Sequence, residues 1–219
     1  MKMYSEYRAI ARKTLKGHWN SLALLTLFII VIGSLFGVPA SVIGATMDLM
    51  WLRISGMSCN YLFAFLVTIP LSYALMNVVL RMARNEAIEC SYFQAMFKDF
   101  AANWSKYVLS GLLVAVLVAL IALPTLMIGA IILGYAYRLV PFVIHDRPEL
   151  GIRDILRTSR IMMRGHKWQL FVLELTFIGW ALLCILSCGI GFLWLDPYMR
   201  MTYAHFYEDV KAEYETREA

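Results

Sequence analysis

A basic stretch joined to a long apolar one, from Glu149 to Tyr207, most constrains what this chain can fold into. The first part, ELGIRDILRTSRIMMRGHKW, places arginines along one side of a predicted helix and ends in a tryptophan. The rest is apolar with few charges and is interrupted by Gly189 and Gly191. Because tryptophan favours the boundary between water and lipid, the pattern predicts a surface helix followed by a hairpin of two membrane helices.

The composition of the whole chain points the same way. Hydrophobic residues make up 61% of the 219 residues and charged residues only 16%, whereas about a quarter of a soluble domain is charged. The apolar side chains lie in blocks long enough to cross a bilayer, which favours a membrane protein over a soluble one. The net charge of +5 is explained by basic residues in cytoplasmic loops, so we expect no nucleic-acid partner.

Six apolar segments are predicted to span the membrane. They are Trp19–Val38, Tyr61–Leu80, Lys106–Leu123, Thr125–Ile144, Gln169–Ser187 and Phe192–Tyr207, with a tight turn near Pro124. If both termini are cytoplasmic, every Lys and Arg except Arg53, Arg138 and Arg200 falls in a cytoplasmic segment. This bias predicts an all-α, six-span protein of the bacterial inner membrane with both termini inside. The first apolar run is long for a signal peptide, so we expect it to be retained.

An amphipathic segment closed by a tryptophan precedes each predicted hairpin. The three joins, KGHWNSLALL, AANWSKYVLS and RGHKWQLFVL, contain Trp19, Trp104 and Trp168. The first and third also share a Gly-His pair. We therefore predict one membrane domain over 1–219, built from three similar units and a short polar tail. The units are 1–80, 85–144 and 147–207, each an interfacial amphipathic helix followed by a hairpin, and the tail is 208–219. Alternatively, such joins are simply how membrane spans begin.

Four ionisable residues fall inside the predicted spans: Arg138, Glu174, Asp196 and Arg200. A charge at membrane depth costs about 2.5–3.5 kcal/mol, so these side chains are predicted to face protein or water and to pair. Asp196 and Arg200 are four residues apart on a helix, where side chains meet. We predict a buried polar cluster of the four, with Asn77 as a further candidate. It is either an anion or substrate site or a structural clamp between spans four, five and six.

Arg153, Arg157, Arg160 and Arg164 are spaced four, three and four residues apart. This spacing places them in one stripe along a helix. Each basic charge near an anionic membrane surface contributes about 1 kcal/mol of attraction, so the stripe predicts binding of anionic lipid head groups. The alternative is a basic loop that only sets the orientation of the chain.

No pattern of residues indicates an enzyme. The sequence has no nucleophile–base motif, phosphate-binding loop or metal-binding helix motif that we can defend. Its cysteines, Cys59, Cys90, Cys184 and Cys188, form no CxxC pair. We therefore expect no catalytic residue, cofactor or metal. The leading hypothesis is a membrane protein whose basic inner face binds lipid or a partner protein, another copy of the chain included. The alternative hypothesis is a small-molecule or ion transporter that uses the buried charges.

The second half of the chain resembles an uncharacterised family of bacterial integral-membrane proteins, catalogued as domain of unknown function family 975. The matching residues are SRIMMRGHK (159–167), Phe171, LTFIGW (175–180), GIG (189–191), Pro197-Tyr198 and Phe206-Tyr207. The loop at 146–151 also fits the Asp-x-Pro loop of the family, whereas Pro124-Thr125 replaces its usual Pro-Gly. The resemblance implies a polytopic inner-membrane protein and no particular activity.

Overall fold

Helices form all the regular structure in the computed structural model, which describes residues 4–46, 64–86, 91–122, 128–187 and 189–218. They are α1 (Tyr4–Leu15), α2 (Trp19–Thr46), a π-helical turn (Ala64–Thr68) that leads into α3 (Ile69–Ala83), α4 (Tyr92–Ala122), α5 (Ile128–Ala136), α6 (Val140–Asp146), α7 (Ile152–Met162), α8 (Lys167–Leu175), α9 (Ile178–Leu186) and α10 (Phe192–Glu218). These ranges contain no β-strand, so the predicted all-α fold class is confirmed.

Several of these helices are long and apolar enough to cross a membrane. Within the described ranges they are Phe65–Ala83, Tyr92–Ala119 and Lys167–Leu186. A fourth is obtained only if Ser5–Leu15 and Trp19–Ser34, which meet at 96°, are counted as one bent span. The fold therefore supplies three or four candidate spans where the sequence predicted six. The predicted turn near Pro124 and the outward-facing Arg53 lie outside the described residues.

Prolines mark two of the interruptions. The predicted fourth span is divided into α5 and α6 by the turn at Tyr137–Leu139, and Pro141 lies in the first turn of α6. Pro70 lies at the start of α3, directly after the π-helical turn. Proline lacks the amide hydrogen that would continue the helical hydrogen-bond ladder and is tolerated best in the first turn. The sequence predicted a kink at Pro70, and the structure has a change of helix type there.

The first helix packs against protein on one face. Tyr7, Ala11 and Leu15 are buried, whereas Lys13 and Lys16 on the other side are exposed. The Tyr7 hydroxyl donates a hydrogen bond to Asp209 at 2.8 Å. This helix, predicted to lie at the membrane surface, is thus docked on α10 by the face that the sequence pattern marks as less polar.

The first and third joins share a backbone geometry. Gly17 and Gly165 have φ values of 96° and 93°, a region that glycine enters without the strain a side chain would add. After each glycine, the amide of His18 or His166 bonds back to the carbonyl three residues earlier, and the next helix begins. The second join differs because α4 runs unbroken through Trp104. One continuous helix stands there in place of the predicted surface helix and separate span.

Candidate functional site

Arg138 and Glu174 form one ion pair, in which the Arg138 side chain is 45% exposed and the Glu174 side chain 26% exposed. Arg138 lies in the turn between α5 and α6, and its guanidinium is 3.4 Å from the carboxylate of Glu174 in α8. Glu174 also accepts hydrogen bonds from the hydroxyls of Tyr135 at 2.6 Å and Tyr203 at 3.0 Å. The Arg138 guanidinium lies over the Tyr203 ring, 5.0 Å from its centre. Three hydrogen-bonding or charged neighbours thus hold the Glu174 carboxylate in place.

Asp196 and Arg200 form a second pair within α10. Arg200 Nε donates to Asp196 Oδ2 at 2.7 Å, as the spacing of four residues on a helix allows. Asp196 also accepts a hydrogen bond from Thr26 of α2, and Arg200 donates to the backbone carbonyl of Ser72 in α3. This pair therefore ties α10 to two other helices.

A cavity of about 340 Å³ lies between the two pairs. Arg138, Asp196 and Arg200 all line it, together with Ser72 and Tyr203. Glu174 does not line it and lies behind Arg138. The structure thus places the four predicted residues in two pairs that share a cavity. Each guanidinium is matched by one carboxylate, so the cavity presents both signs of charge to a small polar solute.

A third polar cluster surrounds Asp146 at the end of α6. Both carboxylate oxygens accept hydrogen bonds from Arg84, at 2.7 and 2.6 Å. The Tyr207 hydroxyl and the Lys211 ammonium bind the same carboxylate at 2.8 and 2.7 Å. Arg84 Nε binds Glu208 as well. We call Asp146 and these four partners the Asp146 cluster.

Electrostatics within the Asp146 cluster favours the charged forms. Burial raises the pKa of Asp146, but hydrogen bonds from Arg84, Lys211 and Tyr207 outweigh it and lower the pKa to about 2. The hydrogen bond to Asp146 in turn raises the pKa of Arg84. The sequence analysis missed this cluster because Asp146 is 61 to 65 residues from Arg84, Tyr207 and Lys211. Its one signal was the position of Asp146 in the Asp-x-Pro loop.

Asp99 is the centre of a fourth cluster, inside the bundle. Its carboxylate accepts hydrogen bonds from Asn77 at 2.9 Å and Tyr107 at 2.6 Å, and Nδ1 of His145 lies 3.7 Å away. Asn77 also donates to the Tyr107 hydroxyl at 2.6 Å. The proposed place of Asn77 beside the charges of spans four to six is therefore wrong, because the amide is committed to Asp99 and Tyr107. We call these four residues the Asp99 cluster.

Three arginines of the predicted stripe lie on the outer face of α7, and Arg164 lies in the turn after the helix and not in the helix as predicted. Arg153, Arg157, Arg160 and Arg164 are all exposed. The opposite face is buried: Ile155, Leu156, Ser159 and Met162. The Ser159 hydroxyl donates to the carbonyl of Ala136 in α5. In the described part of the chain, no carboxylate lies within ion-pair distance of any of the four arginines. Their charges therefore face outward without a protein partner.

A cleft of about 430 Å³ lies at the end of the stripe, where α7 turns into α8. It is lined by Arg160, Arg164, Gly165, Lys167 and Trp168. The Trp168 side chain is 70% exposed. Three cations beside an exposed indole suit an anionic group at a water–lipid boundary. Among the described residues, no group of three or more His, Cys, Asp or Glu could hold a metal ion.

The family assignment rests on comparison with known proteins. A family model described as "Protein of unknown function (DUF975)" matches residues 1–133 and again residues 110–214. No curated protein matches the chain, and no solved structure does. Since the two matched segments together cover nearly all of the sequence, the chain belongs to the DUF975 family of proteins of unknown function.

Proposed function

We propose that this protein is a non-enzymatic, multi-pass protein of the bacterial inner membrane that binds anionic lipid head groups through a basic cytoplasmic face. Exposed apolar side chains on several helices support the membrane location, because a large exposed apolar surface favours lipid or protein contact over water. They include Leu24, Ile30 and Val31 in α2, Leu109, Leu112 and Val116 in α4, Ile131 and Ile132 in α5, and Leu182, Leu183, Ile185 and Leu186 in α9. The bias of basic residues supports six spans with both termini inside.

The observation that carries the proposal is the unpaired arginine stripe of α7. Three guanidinium groups project from one helix whose other face is fixed in the core, and the fourth, that of Arg164, lies in the turn that follows. Guanidinium groups bind phosphate oxygens with two parallel hydrogen bonds, which makes them well suited to phospholipid head groups. The adjoining cleft adds Lys167 and the exposed Trp168. Together they form a surface with a cationic part and an interfacial aromatic part.

The stripe predicts a measurable lipid preference. We compare the R153Q/R157Q/R160Q/R164Q variant with the wild type, both purified in neutral detergent. The ratio of bound phosphatidylglycerol to phosphatidylethanolamine should be at least about tenfold lower in the variant, since each charge contributes about 1 kcal/mol. Mass spectrometry of the co-purified lipids measures the ratio.

The matched control replaces the same four arginines with lysine. It keeps the charge and should retain most of the enrichment. Wild-type enrichment in the glutamine variant would contradict lipid binding by the stripe. If that variant keeps its lipids but loses a co-purifying protein, the basic face binds a partner protein and not lipid.

A second candidate function is transport of a small polar solute, and the cavity between the two charged pairs favours it. Arg138, Asp196 and Arg200 line a space of about 340 Å³, and charged residues in membrane segments often mark a substrate path. In a structural clamp, the same pairs would hold α3, α8 and α10 together with no passage to solvent.

Labelling from the two sides of the membrane separates transport from a clamp. The S72C variant is made in a chain whose four native cysteines are replaced with serine. If the site opens alternately to the two sides of the membrane, we expect the cysteine at position 72 to react with a membrane-impermeant maleimide in both right-side-out and inverted vesicles. The control is S110C, because Ser110 is buried and does not line the cavity. Labelling of neither variant from either side would rule out a transport pathway at Ser72.

A further inference from the structure

A groove between α9 and α10 is closed at one end by α1. Two stripes with the same spacing form its walls. One is Trp180, Leu183 and Cys184 on α9 with Ser187 directly after it, and the other is Gly191 directly before α10 with Trp194, Leu195 and Tyr198 on that helix. Because the two helices are joined by a short turn, Trp180 lies at the same end as Tyr198 and Ser187 lies at the same end as Gly191. Two helical turns make each wall about 10 Å long. The enclosed space is about 500 Å³.

One end of this groove is cationic. Arg12 lines the groove, and its Nε donates to the Tyr198 hydroxyl at 3.0 Å. Arg8 lies outside the lining, but its Nε donates to the same hydroxyl at 3.4 Å. The Arg12 guanidinium also lies 6.0 Å from the centre of the Trp180 ring. Two guanidinium groups on successive turns of α1 are thus directed at one oxygen.

These two positive charges lack a protein counter-ion. Among the residues that the structure describes, no carboxylate lies within ion-pair distance of Arg8 or Arg12. Asp196, the nearest acid along α10, is bonded to Arg200 and Thr26. Like charges four residues apart on a helix repel each other. An anion bound between the two groups would remove that repulsion and accept the guanidinium hydrogens that do not face Tyr198.

The other end of the groove is apolar and shaped for a chain. A side chain at Gly191 would meet Cys184 Sγ at 2.7 Å, so glycine lets the turn approach α9 closely. The indoles of Trp180 and Trp194 line the groove from opposite walls. A space of this size falls within the usual range of ligand pockets, about 300–1,000 Å³. With walls about 10 Å long, it has room for part of one extended acyl chain.

We infer that the groove is a binding site for one anionic phospholipid, with the phosphate between Arg8 and Arg12 and one acyl chain between α9 and α10. The inference rests on the proposed membrane location but not on the α7 stripe, which lies on another helix. Trp19 also lines the groove. The site therefore recognises both the negative charge of the head group and an acyl chain of the lipid.

The experiment uses the full-length chain carrying R153Q/R157Q/R160Q/R164Q, so that the α7 stripe does not contribute. Native mass spectrometry from neutral detergent micelles measures the affinity of the first bound lipid. The probes are phosphatidylglycerol and phosphatidylcholine with the same palmitoyl and oleoyl chains. We expect phosphatidylglycerol to bind at least about tenfold more tightly, as two charge-assisted contacts near the surface allow. Equal affinities for the two lipids would overturn the inference.

Variants at each end of the groove locate the site. R8Q/R12Q should abolish the preference for phosphatidylglycerol, whereas R8K/R12K should keep most of it. K13Q/K16Q is the matched control, because it removes the same charge from exposed positions in α1 and in the turn directly after it and should leave the preference unchanged. An equal loss in R8Q/R12Q and K13Q/K16Q would show a general charge effect and overturn the site.

The last variant tests the acyl chain. S187F fills the apolar end of the groove and leaves both arginines intact, so the affinity for phosphatidylglycerol should fall at least about fivefold if a chain occupies the groove. An unchanged affinity would contradict binding of the acyl chain there. If the groove variants do not change lipid affinity but the wild-type α7 stripe still enriches anionic lipid, the groove is overturned and the proposed function stands. If the groove variants lower the affinity but the α7 stripe enriches no lipid, the groove stands and lipid binding by the stripe is overturned.

Discussion

Replacing Asp146 with alanine is expected to lower the free energy of unfolding by about 3 kcal/mol, because it removes the buried carboxylate that pairs with both Arg84 and Lys211. The two cations keep only their more exposed partners, Glu208 and Glu215. The Asp146 side chain is only 5% exposed. Its carboxylate holds Arg84 through two hydrogen bonds and Lys211 through one. Reversible unfolding in mixed micelles of dodecyl maltoside and sodium dodecyl sulfate measures the change.

The matched control is Glu215→Ala. Glu215 lies near Lys211 at 4.0 Å, but its side chain is 54% exposed. An exposed ion pair contributes at most about 1 kcal/mol, so the control should unfold almost as the wild type does. Equal losses in the two variants would show that the Asp146 cluster is no stronger than a surface pair.

The Asp146 cluster also predicts a dependence on pH. Burial raises the pKa of Asp146, but hydrogen bonds to Arg84, Lys211 and Tyr207 lower it to about 2, whereas an unfolded chain has about 3.9. The carboxylate therefore contributes its full stabilisation above about pH 5, and this contribution is lost as the pH falls toward 2. The difference amounts to about 2.5 kcal/mol. Asp146→Asn should lose less stability than the wild type between pH 5 and 3.

The second large effect is expected at Asp99. Its side chain is 8% exposed and accepts hydrogen bonds from Asn77 and Tyr107. Asp99→Ala would leave the buried Tyr107 hydroxyl without its acceptor, at about 1–3 kcal/mol. It would also remove one of the two hydrogen bonds that the Asn77 amide donates. We expect a total loss of about 3 kcal/mol in the same unfolding measurement. Within the described residues, Asn77 Oδ1 already has no hydrogen-bond partner, so the site has little capacity to adjust.

A double-mutant cycle checks that the loss comes from this network. Tyr107→Phe removes the hydroxyl that joins Asn77 to Asp99. In a connected network, the double variant should be more stable than the sum of the single losses predicts, by about 1–2 kcal/mol. Strict additivity would mean that the Asp99 and Tyr107 side chains contribute independently.

Local patterns in the sequence predicted local structure well. The joins at Trp19 and Trp168 mark helix starts because a glycine turn precedes each one. The contact between Asp196 and Arg200 follows from helix geometry alone. The same geometry predicts that the arginines of α7 share a face. In each case, the partners are within one or two helical turns of each other.

Contacts between distant segments were not predictable in this way. The Asp146 cluster joins helices that are far apart in the chain, and no periodicity connects an acid at the end of α6 with a lysine in α10. The predicted equivalence of the three units also ignores how they pack. Arg8 and Arg12 of α1 lie over Phe177 and Trp180, and Trp180 is about 18 Å along the helix from Trp168. Trp19 and Trp168 therefore do not occupy matching levels.

One helix, α10, takes part in many of the polar contacts among the described residues. It supplies Tyr203 to Glu174, both members of the Asp196–Arg200 pair, and Tyr207, Glu208 and Lys211 to the Asp146 cluster. It also provides Tyr198 and Asp209 to α1. The segments that precede α10 in the chain therefore lack these partners until α10 packs against them.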